Sequence, residues 1–385
     1  MTKSGDKKSF LKRDFSLSLS PRKKSASGQK TARVPEGTKH KQVVGLKIGS
    51  SQLAAALVVN NGSPRLSTAA RQPLDDGIVV GGEVREPEAL AAALDAFFKQ
   101  QGFPRRKVRL GVASNRVGVR VFERPVVDDP RQLTNAIRFR AHEAMPIPIE
   151  EAMLDYHVID DSEGAGRVVL AVTYRELIDR FVAACRLAKL ELIGIDLEAF
   201  ALLRMIAGPL PKGSRREAAG VAVTIGHDRT TVAVSDGRVC EFTRVLDWGG
   251  AKVTSAIERA LSVETEEAER VKRGLSLAGA TSPQNGDERV TKATAAVRRE
   301  VQSLARELGS TLEFYQDQPS SLGFGAVAVT GGTSHLKGLD NELQKLLGIE
   351  VGIVDPFARV GTNDEAAAAG QVGSLAVAIG LGIED

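Results

Sequence analysis

"VVGLKIGSS", Val43 to Ser51, decides how the rest of the chain is read. Val43, Val44, Leu46 and Ile48 make an apolar strand, and Gly49-Ser50-Ser51 ends it in a turn able to present backbone N–H groups to an anion. Through "QLAAALVVNNGSPRL" the chain continues as a second strand, an Asn61-Gly62 turn and a third strand; Asn-Gly between apolar runs is a strong hairpin signal. One residue disagrees with a phosphate-and-metal site. Lys47 holds the last outward-facing position of the first strand, where such a site uses a carboxylate.

The same pattern returns further along. "GVAVTIGHDRTTVAVSDGRVCEF", from Gly220, aligns with the first stretch so that Ile48 meets Ile225 and Gly49 meets Gly226. After a two-residue gap, Asn61-Gly62 meets Asp236-Gly237, and Lys47 shares a column with Thr224. Two copies of this pattern predict two related halves.

Between and after the copies, strands alternate with helices, which predicts an α/β fold with mixed sheets. Apolar spacing predicts helices over Pro87 to Gln101, Asp129 to His142, Arg175 to Leu187 and about Glu288 to Gln318; Pro130 sits at a tolerated first-turn position. "KVRLGVAS", "VRVFERP" (Val119 to Pro125) and "RVVLAVTY" (Arg167 to Tyr174) read as strands. "GAVAVTGGTSHLKGL" (Gly325 to Leu339) reads as a strand entering a Gly331-Gly332 turn and then a helix, aiming turn amides and a helix N-terminus at one ligand. Phe314 and Tyr315 read as core packing. His227 stands in the second glycine turn, where it can donate to a phosphate or face solvent.

With 385 residues, 42% hydrophobic and 26% charged, the chain has the make-up of a soluble globular protein of two or three domains. The net charge of +4 is unevenly spread: residues 1–42 hold 12 Lys+Arg against 3 Asp+Glu, leaving 40 against 45 for the remainder. This arm is poor in large apolar residues and is read as disordered. Its "SFLKRDFSLSL" interleaves Phe10, Leu11, Phe15, Leu17 and Leu19 with cations. A solvated tail is the first reading of it, and contact with an anionic membrane or an acidic partner the second. The acidic body and an aromatic content of 4% argue against nucleic acid. Cys185 and Cys240 are the only cysteines, each in an apolar segment, so neither a disulfide framework nor a cysteine metal site is expected. No apolar run reaches the ~18 residues of a spanning helix, and no signal-peptide core follows the Lys-rich start. The expected location is the cytoplasm, and a role at a membrane would need something else to hold the chain there.

Two glycine-turn hairpins in duplicated halves, followed by a strand into Gly331-Gly332, resemble the actin-like ATPase fold of actin, sugar kinases, heat-shock chaperones and FtsA. Several phrases in order are similar to the type IV pilus assembly family PilM: "ERPVVDDPRQLTNAIRFRAHEAMPIPIEEAMLDYHV" (from Glu123), "LAVTYRELIDRFVAACRLAKLELIGIDLEAFALLR" (from Leu170), "RVLDWGGAKVTSAIERAL" (from Arg244), "EEAERVKRG" (from Glu266), "LGSTLEFYQDQ" (from Leu308) and "VTGGTSHLKGL". The resemblance covers roughly residues 43 to 383. It implies a first lobe at 43–125, an inserted FtsA/PilM-type subdomain at 126–194, a return to the first lobe at 195–215, and a second lobe at 216–385 with a helical subdomain at 250–324.

The resemblance also implies a site for ATP or ADP. Gly49, Ser50 and Ser51 would form the first phosphate loop, and Gly226, His227 and Asp228 the second. Gly331, Gly332 and Thr333 would pass under the adenosine, with Glu269 and Lys272, spaced i, i+3, near base and ribose. Glu198 falls where relatives orient the attacking water; it also suits a helix N-terminus as an acid. Relatives carry Asp at the positions of Lys47 and Thr224, where it organises Mg²⁺ and its waters; a Lys ammonium cannot ligate a metal, and Thr224 can only donate to a phosphate. Ala54 stands where PilM-like chains often have Lys. The expectation is a degenerate nucleotide site, without the usual carboxylates for Mg²⁺ and with weak or absent ATPase activity. Lys47 then either supplies its charge directly to phosphate or snorkels at the strand end.

The function implied is a cytoplasmic scaffold, held on the inner face of the membrane through partners, that receives the cytoplasmic segment of a PilN-like membrane protein in a groove beside the inserted subdomain. Contacts with the pilus motor ATPases and self-association accompany it. The alternatives are a slow ATP-hydrolysing switch, an FtsA-like division or filament protein, and, last, a sugar kinase. The FtsA-like role loses ground because no amphipathic membrane helix is read after "AIGLGIED".

Overall fold

The computed structural model describes residues 40–127, 129–144, 148, 150–159, 166–206, 217–278, 288–318, 321–361 and 372–384. Nearly all of the predicted basic arm lies outside the described residues. The first half opens with β1 (Gln42–Ile48), β2 (Gln52–Asn61) and β3 (Ser63–Pro73), an antiparallel meander, followed by the short hairpin β4 (Val79–Val80) and β5 (Glu83–Val84). Helix α1 (Pro87–Gln101) starts on a proline and stops at Gly102, which takes φ +67° as its C-cap. Strand β6 (Val108–Val112) then pairs in parallel with β1.

Strand β7 (Val117–Glu123), α2 (Pro130–Ala144), β8 (Ala152–Ile159) and β9 (Arg167–Tyr174) form a separate layer, a three-stranded antiparallel sheet in the order β7-β9-β8. Leu133, Ile137 and Ala141 of α2 cover one face of it. Helix α3 (Arg175–Leu187) packs on α1, β10 (Leu192–Leu197) rejoins the first sheet beside β6, and α4 (Glu198–Ile206) follows. The first sheet thus runs β10-β6-β1-β2-β3.

The second half repeats this plan. Strands β11 (Gly220–Ile225), β12 (Thr230–Ser235) and β13 (Cys240–Leu246) form the meander. Helices α5 (Gly250–Leu261), α6 (Thr265–Gly274) and α7 (Glu288–Gln316) follow, then β14 (Ala326–Thr330), α8 (Leu339–Leu347), β15 (Glu350–Ile353) and α9 (Ala376–Gly382). The sheet order β13-β12-β11-β14-β15 mirrors the first. The likeness extends to detail. The Gly49 N–H donates to Gln52 O at 3.0 Å and the Gly226 N–H to Arg229 O at 2.8 Å. Gly62 and Gly237 take φ +88° and +87°. Both meanders slip register at the same column, between Leu57 and Val58 and between Val234 and Ser235. The duplication read from the glycine turns is therefore a property of the backbone.

Strand alternation sets what each face holds. Val44 and Leu46 enter a core with α1 and α3, while Val221, Val223 and Ile225 enter another with α5, α7 and α8. The opposite faces, bearing Gly45 and Lys47 in β1 and Ala222 and Thr224 in β11, look towards the space between the halves. Helices α4 and α9 cross there, α9 against β1 and β2 and α4 against β11, β12 and β13. The approach is close: a Cβ on Gly45 would lie 2.0 Å from Ala378 O.

The three-stranded sheet is tied to the second half by Arg167, whose Nη2 lies 2.7 Å from Asp236 Oδ2 and Nη1 3.0 Å from Glu241 Oε1. The Tyr315 hydroxyl donates to Glu241 Oε2 at 2.9 Å and accepts from Leu322 N at 3.1 Å. Burial, with Asp236 nearby, raises the Glu241 carboxyl above its ordinary range despite these partners. Tyr315 is core, as read, but Phe314 is not: it is 57% exposed. The buried stripe of α7 runs Leu308, Thr311, Leu312, Tyr315, and Phe314 falls off that helical period.

Candidate functional site

A cavity of about 1100 Å³ opens between the halves, and the residues singled out in the sequence all line it, from both glycine turns, α4, α6 and the Gly331 turn. In the first turn, Gly49 closes the hairpin and Ser50 places its hydroxyl where it is buried with no partner among the described residues. Ser51 O accepts from Leu74 N at 2.9 Å, anchoring this turn to the chain after β3.

The second turn is held from three sides. Gly226 O accepts from Gly250 N at 3.0 Å and from Thr333 Oγ1 at 2.8 Å, and His227 O accepts from Ala251 N at 2.7 Å. The first turn of α5 is thereby spent on the loop itself. Asp228 Oδ2 accepts from Gly81 N at 3.2 Å, joining the β4–β5 hairpin of the first half to the second glycine turn. The His227 ring is exposed.

Gly331 and Gly332 follow β14 as expected, but no α-helix starts there. A 3-10 turn, Gly332–His335, intervenes, and α8 begins only after Gly338, which takes φ +81°. Gly331 N donates to Gly373 O at 3.2 Å, and Ser334 Oγ to Gly331 O at 2.7 Å. The expected helix N-terminus is thus replaced by a turn that spends several of its donors internally, because the chain must bend twice between β14 and α8.

On α6, Glu269 and Lys272 share one face, as their spacing requires. Lys272 Nζ donates to Glu269, to Thr254 Oγ1 at 2.7 Å and to Gly250 O at 3.2 Å. Thr254 Oγ1 lies 2.5 Å from Glu269 Oε1. Burial would raise the Glu269 carboxyl, but the hydrogen bonds from Lys272 and Thr254 and the charges of Lys272 and Arg273 outweigh it and hold it below its ordinary range. A carboxylate lowered in this way adds stability above its unfolded-state pKa and loses it as pH falls through the folded value. In thermal melts across pH, Glu269→Gln should cost about 1–2 kcal/mol near neutrality and should flatten the native chain's loss of stability on acidification below the ordinary glutamate range. Parallel acid limbs in the two proteins would contradict this role.

Lys47 and Glu198 meet directly: Lys47 Nζ lies 3.0 Å from Glu198 Oε2, with the side chains 19% and 6% exposed. Glu198 is the first residue of α4. Gly111, beside Lys47 in the sheet, leaves room chiefly for Leu381 of α9: a Cβ there would lie 2.7 Å from Leu381 Cδ1, and 3.4 Å, an ordinary contact, from Glu198 Cγ. Thr224 faces the cavity from the matching column of β11. Sequence reasoning missed Thr254, Gly250 and Arg71. "WGGAKVT", a Gly-Gly pair entering a helix with Thr one turn on, was the available signal for Gly250 and Thr254. Arg71 carried none; it lines the cavity from β3, its Nη1 3.1 Å from Ser374 Oγ. Taken together, the site offers turn amides, two hydroxyls and shielded cations to an elongated anion, and a wall of fixed polar groups on α6.

A family model described as type IV pilus assembly protein PilM matches residues 45–385. The cell division protein FtsA of Bacillus subtilis is 24% identical over 304 residues, 70% of this chain and 67% of that protein. FtsA of Agrobacterium fabrum is 30% identical over 156 residues, 36% of this chain and 35% of its own length. Among solved structures, the PilM-PilN type IV pilus biogenesis complex matches with a TM-score of 0.73 and 26% identity, covering 88% of this chain and 97% of that one. MreB5 of Spiroplasma citri bound to AMPPNP shares the fold, with a TM-score of 0.51 at 12% identity over 89% and 95% of the two chains. The doubled β-meander with its intervening cavity is thus the actin-like fold. Because the family match runs through both halves and the cavity between them, the chain belongs to the type IV pilus assembly protein PilM family.

Proposed function

We propose that the chain is a scaffold of a type IV pilus machine that binds the cytoplasmic segment of a PilN-like membrane protein. The observation that carries this reading is the likeness, over 88% of the chain, to a PilM solved together with PilN. A groove of about 630 Å³ supports it, lined by Glu151, Arg116 and Tyr174 at the three-stranded sheet and by Arg175, Asp179 and Arg180 of α3. The Arg116 guanidinium sits 4.1 Å over the Tyr174 ring centroid, and its Nη1 lies 3.1 Å from Glu83 Oε1. A tyrosine–arginine stack with fixed charges of both signs, at the end of the sheet where β7, β8 and β9 meet α3, suits a short peptide laid in the groove. In this reading the three-stranded sheet and α2 serve contacts rather than chemistry. Among the described residues no helix is long and apolar enough to cross a membrane; in this reading the PilN-like partner holds the chain at the inner face. Contacts with the pilus motor ATPases and self-association belong to the same role.

The cavity is, in this reading, a nucleotide site for ATP or ADP. The two glycine turns receive the phosphates, Gly331, Gly332 and Thr333 pass under the adenosine, and Glu269 and Lys272 border base and ribose. Binding rather than turnover is favoured, because Glu198, the candidate for orienting a water, is held by Lys47.

Calorimetric titration with a synthetic peptide of the PilN-like segment tests the scaffold reading. A dissociation constant in the micromolar range is expected, with Tyr174→Ala weakening it by about tenfold, or ~1.4 kcal/mol. Absence of binding by the native chain would refute it.

A further inference from the structure

The resemblance implies Mg²⁺ organised by an Asp in each glycine hairpin, and the residues at those positions do not fit it. Lys47 Nζ occupies the first position, 3.0 Å from Glu198 Oε2 and largely shielded from solvent. The carboxylates nearest the other turn and the α6 wall are already engaged: Asp228 by the Gly81 N–H, Glu269 by Thr254 and Lys272. Among the described residues no group of three His, Cys, Asp or Glu side chains is arranged to hold a metal. A hard divalent cation wants oxygen ligands and would here stand against a largely shielded ammonium.

The same features suit an anion. Lys47 points between the halves from β1, which ends at Ile48, so its charge and the Gly49 turn that follows face one volume. The Ser50 hydroxyl, buried and unpartnered among the described residues, is a further donor at that turn. A lysine on a flexible stem can leave one carboxylate for a more highly charged diphosphate a few ångströms away.

Resting on the reading of this cavity as a nucleotide site, we propose that Lys47 stands in for the divalent cation. The diphosphate of a nucleotide binds directly to the Lys47 ammonium and the first glycine turn without a metal, and Glu198 is the internal anion that it displaces. Glu198 therefore acts as a competitor that lowers nucleotide affinity.

The test is calorimetric titration of ADP into the full chain, once in EDTA and once in excess MgCl₂. The affinity in EDTA should equal or exceed that with Mg²⁺, because the metal masks charge that Lys47 recognises. Lys47→Met should lose about tenfold or more in EDTA, Lys47→Arg should stay within about threefold of native, and Glu198→Gln should tighten binding by about threefold or more. Lys47→Asp should bind poorly in EDTA and recover at least about tenfold with Mg²⁺. ADP binding by the native chain that requires Mg²⁺, or no binding in either buffer, overturns the proposal without involving any variant's folding; so does a Lys47→Met chain that binds as native does. Titrating the PilN-like peptide into the same samples keeps the two readings apart: peptide bound without ADP ends this inference alone, and ADP bound without peptide ends the scaffold reading alone.

Discussion

Gly331→Ala should destabilise the chain by about 4 kcal/mol or more, measured as a shift in the denaturant midpoint. Gly331 adopts φ +103° and ψ +170°, a region open essentially to glycine alone. Space compounds the backbone penalty. A Cβ would lie 2.3 Å from Ile225 O and 2.6 Å from Ile225 N, both main-chain atoms at the end of β11 that no rotamer change can move. Relief requires β14 to part from β11 where the second glycine turn begins, so the substitution should also loosen the cavity wall. Gly332→Ala is the control: its nearest neighbour to a new Cβ is the Ser374 Cβ at 4.0 Å, and its cost should stay within about 1 kcal/mol. Similar midpoints for the two variants would refute the close-approach argument.

Arg204→Met should cost about 3–5 kcal/mol, for a different reason. Asp196 is fully buried and Arg204 is 6% exposed, and the two form an ion pair between β10 and α4. Asp196 Oδ1 also accepts from Leu197 N at 2.8 Å, and Arg204 Nε donates to Gly380 O at 3.0 Å, joining α4 to α9. Methionine keeps much of the apolar bulk but leaves a carboxylate in the interior with its main counter-charge gone. Adding Asp196→Asn removes that charge, so the double variant should be less destabilised than the sum of the single ones. Additive losses in chemical denaturation would mean that the two residues act independently. Because α4 begins at Glu198, the pair also sets where that side chain enters the cavity.

Much of the architecture was legible because it depends on local chemistry. Helices α1 and α3 begin and end where apolar spacing, Pro87 and the following residues set them, and β9 coincides with an uninterrupted apolar run. The two Gly-turn hairpins could be matched from their sequence because Gly62 and Gly237 both take the positive φ that favours glycine, although the connections around them differ in length. The break at Gly332–His335 was not legible: Gly-Gly before a polar stretch is compatible with either a helix start or a tight turn, and the choice depends on packing against Ile225 and Gly373. Phe314 was misread because an aromatic beside a buried Tyr was assigned by residue type, when its place on the helical period governs exposure.

The amino-acid sequence by itself determined the duplicated hairpins, the α/β class and the positions at which Lys47 and Thr224 face the space between two halves, since alternation along a strand and glycine turn chemistry act within a few residues. Only the tertiary structure decided what those side chains meet. Lys47 finds Glu198 at the start of α4, and Thr254 joins Glu269 and Lys272 on the far wall. Such partners come from elements distant in the chain, brought together by helix and sheet packing, so no local pattern could specify them.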